Sequence, residues 1–240
     1  MPILQPRDRE AVEKRFSTEL KQNVSLKLYT QPPSPLFLPG RECPTCGPTQ
    51  ELLQELCDLS DKLTLEIVDY YKDAEAVSKA DIERIPAFVI GNGDGNARFY
   101  GIPSGYEFAA LLDTIVAAGT KSSTLELETR RQLKRLTEDV HIQVFVTPTC
   151  GYCPTLAHTA HAMALESPHV HTDVVEVQEF PYLARKYSVM GVPRTIINDR
   201  VDFTGAVPES VLVQRILEAA GLEEESAEAD QVLGETTPVS

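Results

Sequence analysis

Apolar residues recur along this chain with two alternating periods. Between residues 7 and 22, Val12, Phe16 and Leu20 fall at i, i+4 and i+8, one face of a helix. Ser25 to Tyr29 then alternates as a half-buried strand does. The same reasoning predicts a helix from the turn at 43–46 to Leu59, a strand over Leu63 to Val68 and a helix over Lys72 to Ala80. Strands at Ala87 to Ile90 and Ala97 to Tyr100 flank residues 91–96, a hairpin-turn composition, and a helix over Tyr106 to Ala118 follows. The second half repeats this order. It predicts a helix over Leu125 to Leu136, a strand over His141 to Val146, a helix from the turn at 150–153 to Leu165 and a strand over Val170 to Val175. Next come a helix over Pro181 to Tyr187, strands at Thr195 to Ile197 and Val201 to Phe203 about an Asn198-Asp199 turn, and a helix over Pro208 to Ala220. The small polar break at 119–123 marks the joint. The expected domains are residues 1–120 and 121–221, with an acidic, disordered tail at 222–240.

Composition supports that division. The 240 residues are 42% hydrophobic and 24% charged, enough for each half to bury its own core. The net charge is −14. The tail holds six acidic residues and no basic one, and the remainder is still acidic. Nucleic acid and anionic membrane surfaces are therefore not expected partners. No apolar run reaches signal-peptide or membrane-spanning length, so the expected location is cytoplasmic. There, close cysteine pairs are more often catalytic or metal-binding than structural.

Cys43-Pro44-Thr45-Cys46 and Cys150-Gly151-Tyr152-Cys153 are such pairs. Pro86 follows Cys46 by 40 residues and Pro193 follows Cys153 by 40, so the whole set repeats at an offset of 107. Two cysteines three apart at a helix start form a redox couple. The free N–H groups of the helix favour the thiolate of the first, and the second resolves a mixed disulfide. Cys150 and Cys43 are thus the candidate attacking residues, Cys153 and Cys46 the resolving ones. The rival is a zinc site of four cysteines. Its pairs usually stand about 12–20 residues apart, whereas 104 separate Cys46 from Cys150.

Lesser features add detail. Tyr152 places an aromatic beside the second pair; the first has none. Val144 occupies the strand before Cys150, which carries no carboxylate. Cys57 is expected to be a buried apolar residue. His158, His161, His169 and His171 are expected at the surface or at edges, with no carboxylate completing a metal set. Neither a metal nor an organic cofactor is called for. From Ser25 to Cys43 takes 18 residues, against 9 from His141 to Cys150. The extra stretch, 32–40, is proline-rich, and is either a lid over Cys43 or a surface loop pinned by Leu36 and Phe37.

Helix–strand–helix–strand–helix–strand–strand–helix is the thioredoxin fold preceded by a helix. With the stretches Asp61 to Asp69, Phe99 to Phe108 and Val144 to Pro154, the chain up to about Gly221 resembles the protein disulfide oxidoreductases of thermophilic archaea and bacteria, glutaredoxin-like proteins of two fused thioredoxin folds. The expected fold is accordingly α/β: two tandem thioredoxin-like folds, each a mixed four-stranded sheet with flanking helices and an extra N-terminal helix. The resemblance implies dithiol–disulfide exchange at both pairs, the second being the more active. It implies disulfide-containing proteins as substrates, and a thioredoxin-reductase-like flavoprotein or a small thiol as electron source. It also implies cis peptide bonds at Pro86 and Pro193, with Ile85, Val192 and Tyr152 beside the bound substrate. Pro44-Thr45, the 32–40 insertion and the acidic tail depart from the family pattern. A second expectation is an electron-relay module, like the paired thioredoxin folds of the flavoprotein reductase in alkyl hydroperoxide systems, serving a peroxiredoxin. A zinc-held interaction protein is the third.

Overall fold

The computed structural model describes residues 3–33, 40–91, 95–120 and 122–222. The apolar centre of the 32–40 insertion, the tip of the first hairpin and the acidic tail beyond Leu222 lie outside the described residues.

In chain order the elements are α1 (Pro6–Glu19), β1 (Val24–Thr30), α2 (Cys46–Cys57), β2 (Leu63–Asp69), α3 (Ala74–Lys79), β3 (Ala87–Ile90), β4 (Ala97–Tyr100) and α4 (Tyr106–Gly119). The second half has α5 (Leu127–Leu133), β5 (Val140–Val146), α6 (Cys153–Glu166), β6 (Val170–Glu176), α7 (Pro181–Lys186), β7 (Arg194–Ile197), β8 (Val201–Thr204) and α8 (Glu209–Ala219). Each half supplies four strands, as expected. The Asn198-Asp199 hairpin turn is also observed, both residues at positive φ (51° and 52°) as a tight two-residue turn demands.

The two half-sheets are not separate. The strand order is β2-β1-β3-β4-β6-β5-β7-β8, one eight-stranded sheet closed at its middle by parallel pairing of β4 with β6. Alternate strand residues face opposite layers. Leu26, Leu28, Phe88, Phe99, Val144 and Val174 pack under α1, α2, α4, α5, α6 and α8. Tyr29, Val89, Tyr100, Phe145, Val175 and Ile196 face α3 and α7. β1, β4, β6 and β5 run the same way. The carboxyl ends of β1 and β5 therefore open on one rim of the sheet, four strand spacings or about 19 Å apart.

A buried charge cluster locks the seam. Arg98 of β4 meets Asp173 of β6 at 2.7 Å, with side chains 6% and 5% exposed. Asp173 also bonds His141 Nε2 at 2.8 Å, and Arg98 donates to the carbonyls of Ala80 and Asp81. Burial pushes the Asp173 carboxyl up, but the His141 bond and the Arg98 charge outweigh it and hold the group below the usual carboxylate range. His161 corrects a sequence expectation. It is 3% exposed between α6 and α4, donates Nε2–H to the Arg98 carbonyl at 2.9 Å and faces Thr114 Oγ1 at 3.3 Å. Burial pushes its pKa down to about 4, so it is a neutral core residue. His158 is half-buried as well. His169 and His171 are half-buried beside Asp139, His171 within the central strand β6.

Replacing Arg98 by Met removes one partner of a buried pair and should cost about 3–5 kcal/mol. In urea unfolding, Arg98→Met with Asp173→Leu should recover most of that loss. A double variant no more stable than the single one would show that packing, not the uncompensated charge, was lost.

Candidate active site

Each CxxC motif lies in the turn that leaves a central strand. β1 ends at Thr30 and α2 begins at Cys46; β5 ends at Val146 and α6 begins at Cys153. The helices thus start at the second cysteine, and the first lies one turn ahead. Cys43–Cys46 and Cys150–Cys153 are disulfides, with Cα–Cα distances of 5.4 and 5.5 Å. Burial separates the two members of each pair. Cys46 and Cys153 are 2% and 0% exposed, whereas Cys43 and Cys150 are half-buried. In the second motif the Cys153 N–H donates to Cys150 Sγ at 3.1 Å, so a helix-terminal donor points at the sulfur that would carry charge. In the first, the Cys46 N–H goes to the Cys43 carbonyl at 3.3 Å.

Strand register brings the prolines to the same rim. Ala87 stands opposite Tyr29, and Arg194 opposite Phe145. Pro86 and Pro193, one residue earlier, therefore lie beside the strand ends from which the cysteine turns depart. The Ile85–Pro86 and Val192–Pro193 bonds are both cis. Both prolines are buried, with Ile85 and Val192 half-buried before them. The proline carbonyls accept the N–H groups of Gly101 and Gly205, at 2.9 and 2.8 Å.

The two sites differ in their surroundings. At the second, Tyr152 is 77% exposed, and Met190, two residues before Val192, is 95% exposed. At the first, Thr45 occupies the position of Tyr152 and donates its hydroxyl to Glu179 Oε2. Glu179 Oε1 accepts the Ile102 N–H at 2.7 Å. Arg84, just before Ile85, donates Nε–H to the Tyr182 hydroxyl at 3.1 Å and lies over the Tyr100 ring at 4.9 Å. Glu179 and Tyr182 belong to the second half. The second half therefore contacts the first CxxC turn, while Tyr152 and Met190 beside the second pair face solvent.

Buried carboxylates near the rim are what sequence reasoning missed. Val144 is indeed a buried apolar residue, and the carboxylates arrive from elsewhere. Gly105 has φ +59°, and a β-carbon there would collide with the Pro148 carbonyl, which also accepts the Tyr106 N–H at 3.0 Å. This contact seats the first turn of α4 against the turn before Cys150. Glu107 in that turn is fully buried, and neither of its oxygens has a hydrogen-bond partner among the described residues. Burial, with the charge of Glu176 added, pushes its pKa up to about 8. Burial also raises the pKa of Glu176, which accepts the N–H groups of Gln178 and Glu179. Nothing in the sequence marked Glu107, because an acid in a first helical turn ordinarily faces solvent. Cys57 is half-buried against the core, its thiol pushed up to about 11 by burial, as suits an apolar role. Among the described residues, no group of three or more His, Cys, Asp or Glu could hold a metal ion, and no helix is long and apolar enough to cross a membrane.

Glu107 carries a pH signature. Its carboxyl stays protonated in the fold well above the pH at which it ionises in the unfolded chain. Between the ordinary carboxylate range and about pH 8, folding thus retains a proton, and stability falls as pH rises. Urea unfolding of Glu107→Gln should lose that decline, so that the variant gains on the parent protein from pH 6 to pH 8.5. Parallel curves would place the titration elsewhere.

Similarity to known proteins follows this geometry. A thioredoxin-domain family model matches residues 140–218. A thioredoxin of Methanocaldococcus jannaschii is 36% identical over 78 residues, covering 32% of this chain and 92% of that protein. The F component of alkyl hydroperoxide reductase from Escherichia coli is 26% identical over 181 residues, 75% of this chain but 32% of that protein, so the chain spans about a third of that relative's length. Among solved structures, a protein disulfide oxidoreductase from Aeropyrum pernix superposes with a TM-score of 0.82 at 28% identity, covering 91% of this chain and 94% of that one. With two CxxC disulfides on one rim of a shared sheet, the chain belongs to the thioredoxin family, as a tandem pair of thioredoxin-like folds.

Proposed function

We propose that this protein is a dithiol–disulfide oxidoreductase acting on protein disulfides. One observation carries the reading: in both halves a half-buried cysteine is disulfide-bonded to a fully buried one at the first turn of a helix, beside a buried proline. Access selects the attacking sulfur, and burial keeps the resolving sulfur from outside reagents until it is needed. In the reducing direction the Cys150 thiolate attacks a substrate disulfide, forming one S–S bond to it. The other substrate sulfur leaves as a thiolate and takes a proton. Cys153, deprotonated, then attacks Cys150 Sγ, closing the internal disulfide and releasing the second substrate thiolate, which is protonated in turn. The substrate gains two electrons and two protons, and the protein loses both. A thioredoxin-reductase-like flavoprotein or a small thiol restores them. Cys43 and Cys46 perform the same steps in the first half. Pro193 with Val192, and Pro86 with Ile85, form the edges against which substrate lies, Tyr152 adding an apolar contact at the second. Residues 1–120 and 121–221 are the two catalytic units, and the cytoplasm is where the dithiols would be kept reduced.

A second reading is favoured by the similarity to the F component of alkyl hydroperoxide reductase: an electron-relay module that receives electrons from a flavoprotein and passes them to a peroxiredoxin. Both readings use the same thiol chemistry and differ in partner. A zinc-held scaffold is disfavoured by geometry, since pairs about 19 Å apart cannot share one tetrahedral ion.

Insulin reduction with dithiothreitol as donor tests the main reading. Cys150→Ser should lose about tenfold or more, and Cys43→Ser about twofold, because the open second site admits substrate more readily. The reverse ranking would make the first pair the principal site, and no reduction by the parent protein would sink the reading. Cys153→Ala, reduced and then mixed with oxidised insulin, should accumulate a mixed disulfide through Cys150, visible on non-reducing gels. An adduct carried by any other cysteine would reassign the attacking role.

A further inference from the structure

Glu179 reaches from the second half into the first CxxC turn and is held there on three sides. Its N–H donates to Glu176 Oε2 at 2.9 Å, Oε1 accepts the Ile102 N–H at 2.7 Å, and Oε2 accepts the hydroxyl of Thr45, the residue between Pro44 and Cys46. Gly101, at φ +102°, leaves the room: a β-carbon there would come within 2.6 Å of Glu179 Oε1. Buried Phe180 and the start of α7 at Pro181 fix the following chain. A carboxylate this constrained is a built part of the first site. At the second motif the same position is Tyr152, which points into solvent.

Among the described residues, neither nearby guanidinium contacts Glu179. Arg84 is engaged by Glu83, Tyr182 and Tyr100. Arg41 lies over the Tyr71 ring at 4.4 Å. Glu42, beside Cys43, and Glu176, behind Glu179, add negative charge, and the first turn of α2 holds no acidic residue of its own. Negative charge beside a thiol disfavours its thiolate, and the thiolate is the reactive form. We infer that Glu179 is a positioning residue through which the second half restrains the first dithiol, its charge keeping Cys43 protonated and slow to attack. The consequence is a division of labour in which the two pairs react at different pH. This inference rests on the first pair being a working dithiol, as proposed above.

The test is the pH profile of alkylation of the fully reduced protein by iodoacetamide, read cysteine by cysteine by mass spectrometry. In Glu179→Gln the midpoint for Cys43 should move to lower pH by about one pH unit, giving about tenfold more thiolate on the acid side of the profile. The Cys150 midpoint in the same molecules should stay in place. Thr45→Val removes the bond but keeps the charge, and should move Cys43 less than Glu179→Gln does. Glu179→Asp keeps the charge and should leave the midpoint where it was. An unmoved Cys43 in Glu179→Gln, equal shifts in the Asp and Gln variants, or equal shifts of Cys43 and Cys150 would each overturn the inference. Alkylation needs neither substrate nor electron donor, so failure of insulin reduction would strike the oxidoreductase reading without touching this measurement.

Discussion

The parallel pairing of β4 with β6 converts two four-stranded half-sheets into one surface, and the placement of both cysteine turns follows from it. Parallel strands must run the same way. β1 and β5, each parallel to the seam strand of its own half, therefore deliver their turns to a common rim. An antiparallel seam would have put the two motifs on opposite edges. The seam is also sensitive to change, because Arg98 and Asp173 are buried there and their mutual contact, the His141 bond and the Ala80 and Asp81 carbonyls offset their desolvation.

The two motifs share a backbone plan and differ in what surrounds them. Both place one sulfur within reach and hide the other at a helix start. The second adds a helical N–H aimed at Cys150 and an exposed aromatic. The first is bounded by Glu179 and by the Arg84–Tyr182 contact. A repeat identical in sequence register thus differs in the side chains that border its two pairs, and thiol reactivity depends on access and on local charge.

Most of the fold was legible, because strands buried on one or both faces and amphipathic helices write their periods plainly. β3 and β4 fell where the apolar runs and the glycine-rich turn put them, and the cysteine and proline spacing located the rim. What escaped were contacts between the halves. Arg98 and Asp173 drew no notice within their strands, since a sequence does not say that two such residues face each other with water excluded. His161 read as one of a surface pair because α6 looks amphipathic on its own; α4 lies along it and covers that face. Glu107 and Glu179 carry no local signal at all, for each acquires its meaning from a residue in the other half.

The seam also bears on how such a chain can diverge. Remove either half, and the other is left with an open, unpaired strand edge and one member of the Arg98–Asp173 pair without its partner, which favours aggregation. Selection can therefore retire one cysteine pair without discarding the fold that carries it. The retired half would persist as scaffold, still supplying one strand of the seam and half of a shared ion pair. Duplication here works as a one-way ratchet: chemistry can be lost from one unit at little cost, but the architecture cannot be divided again.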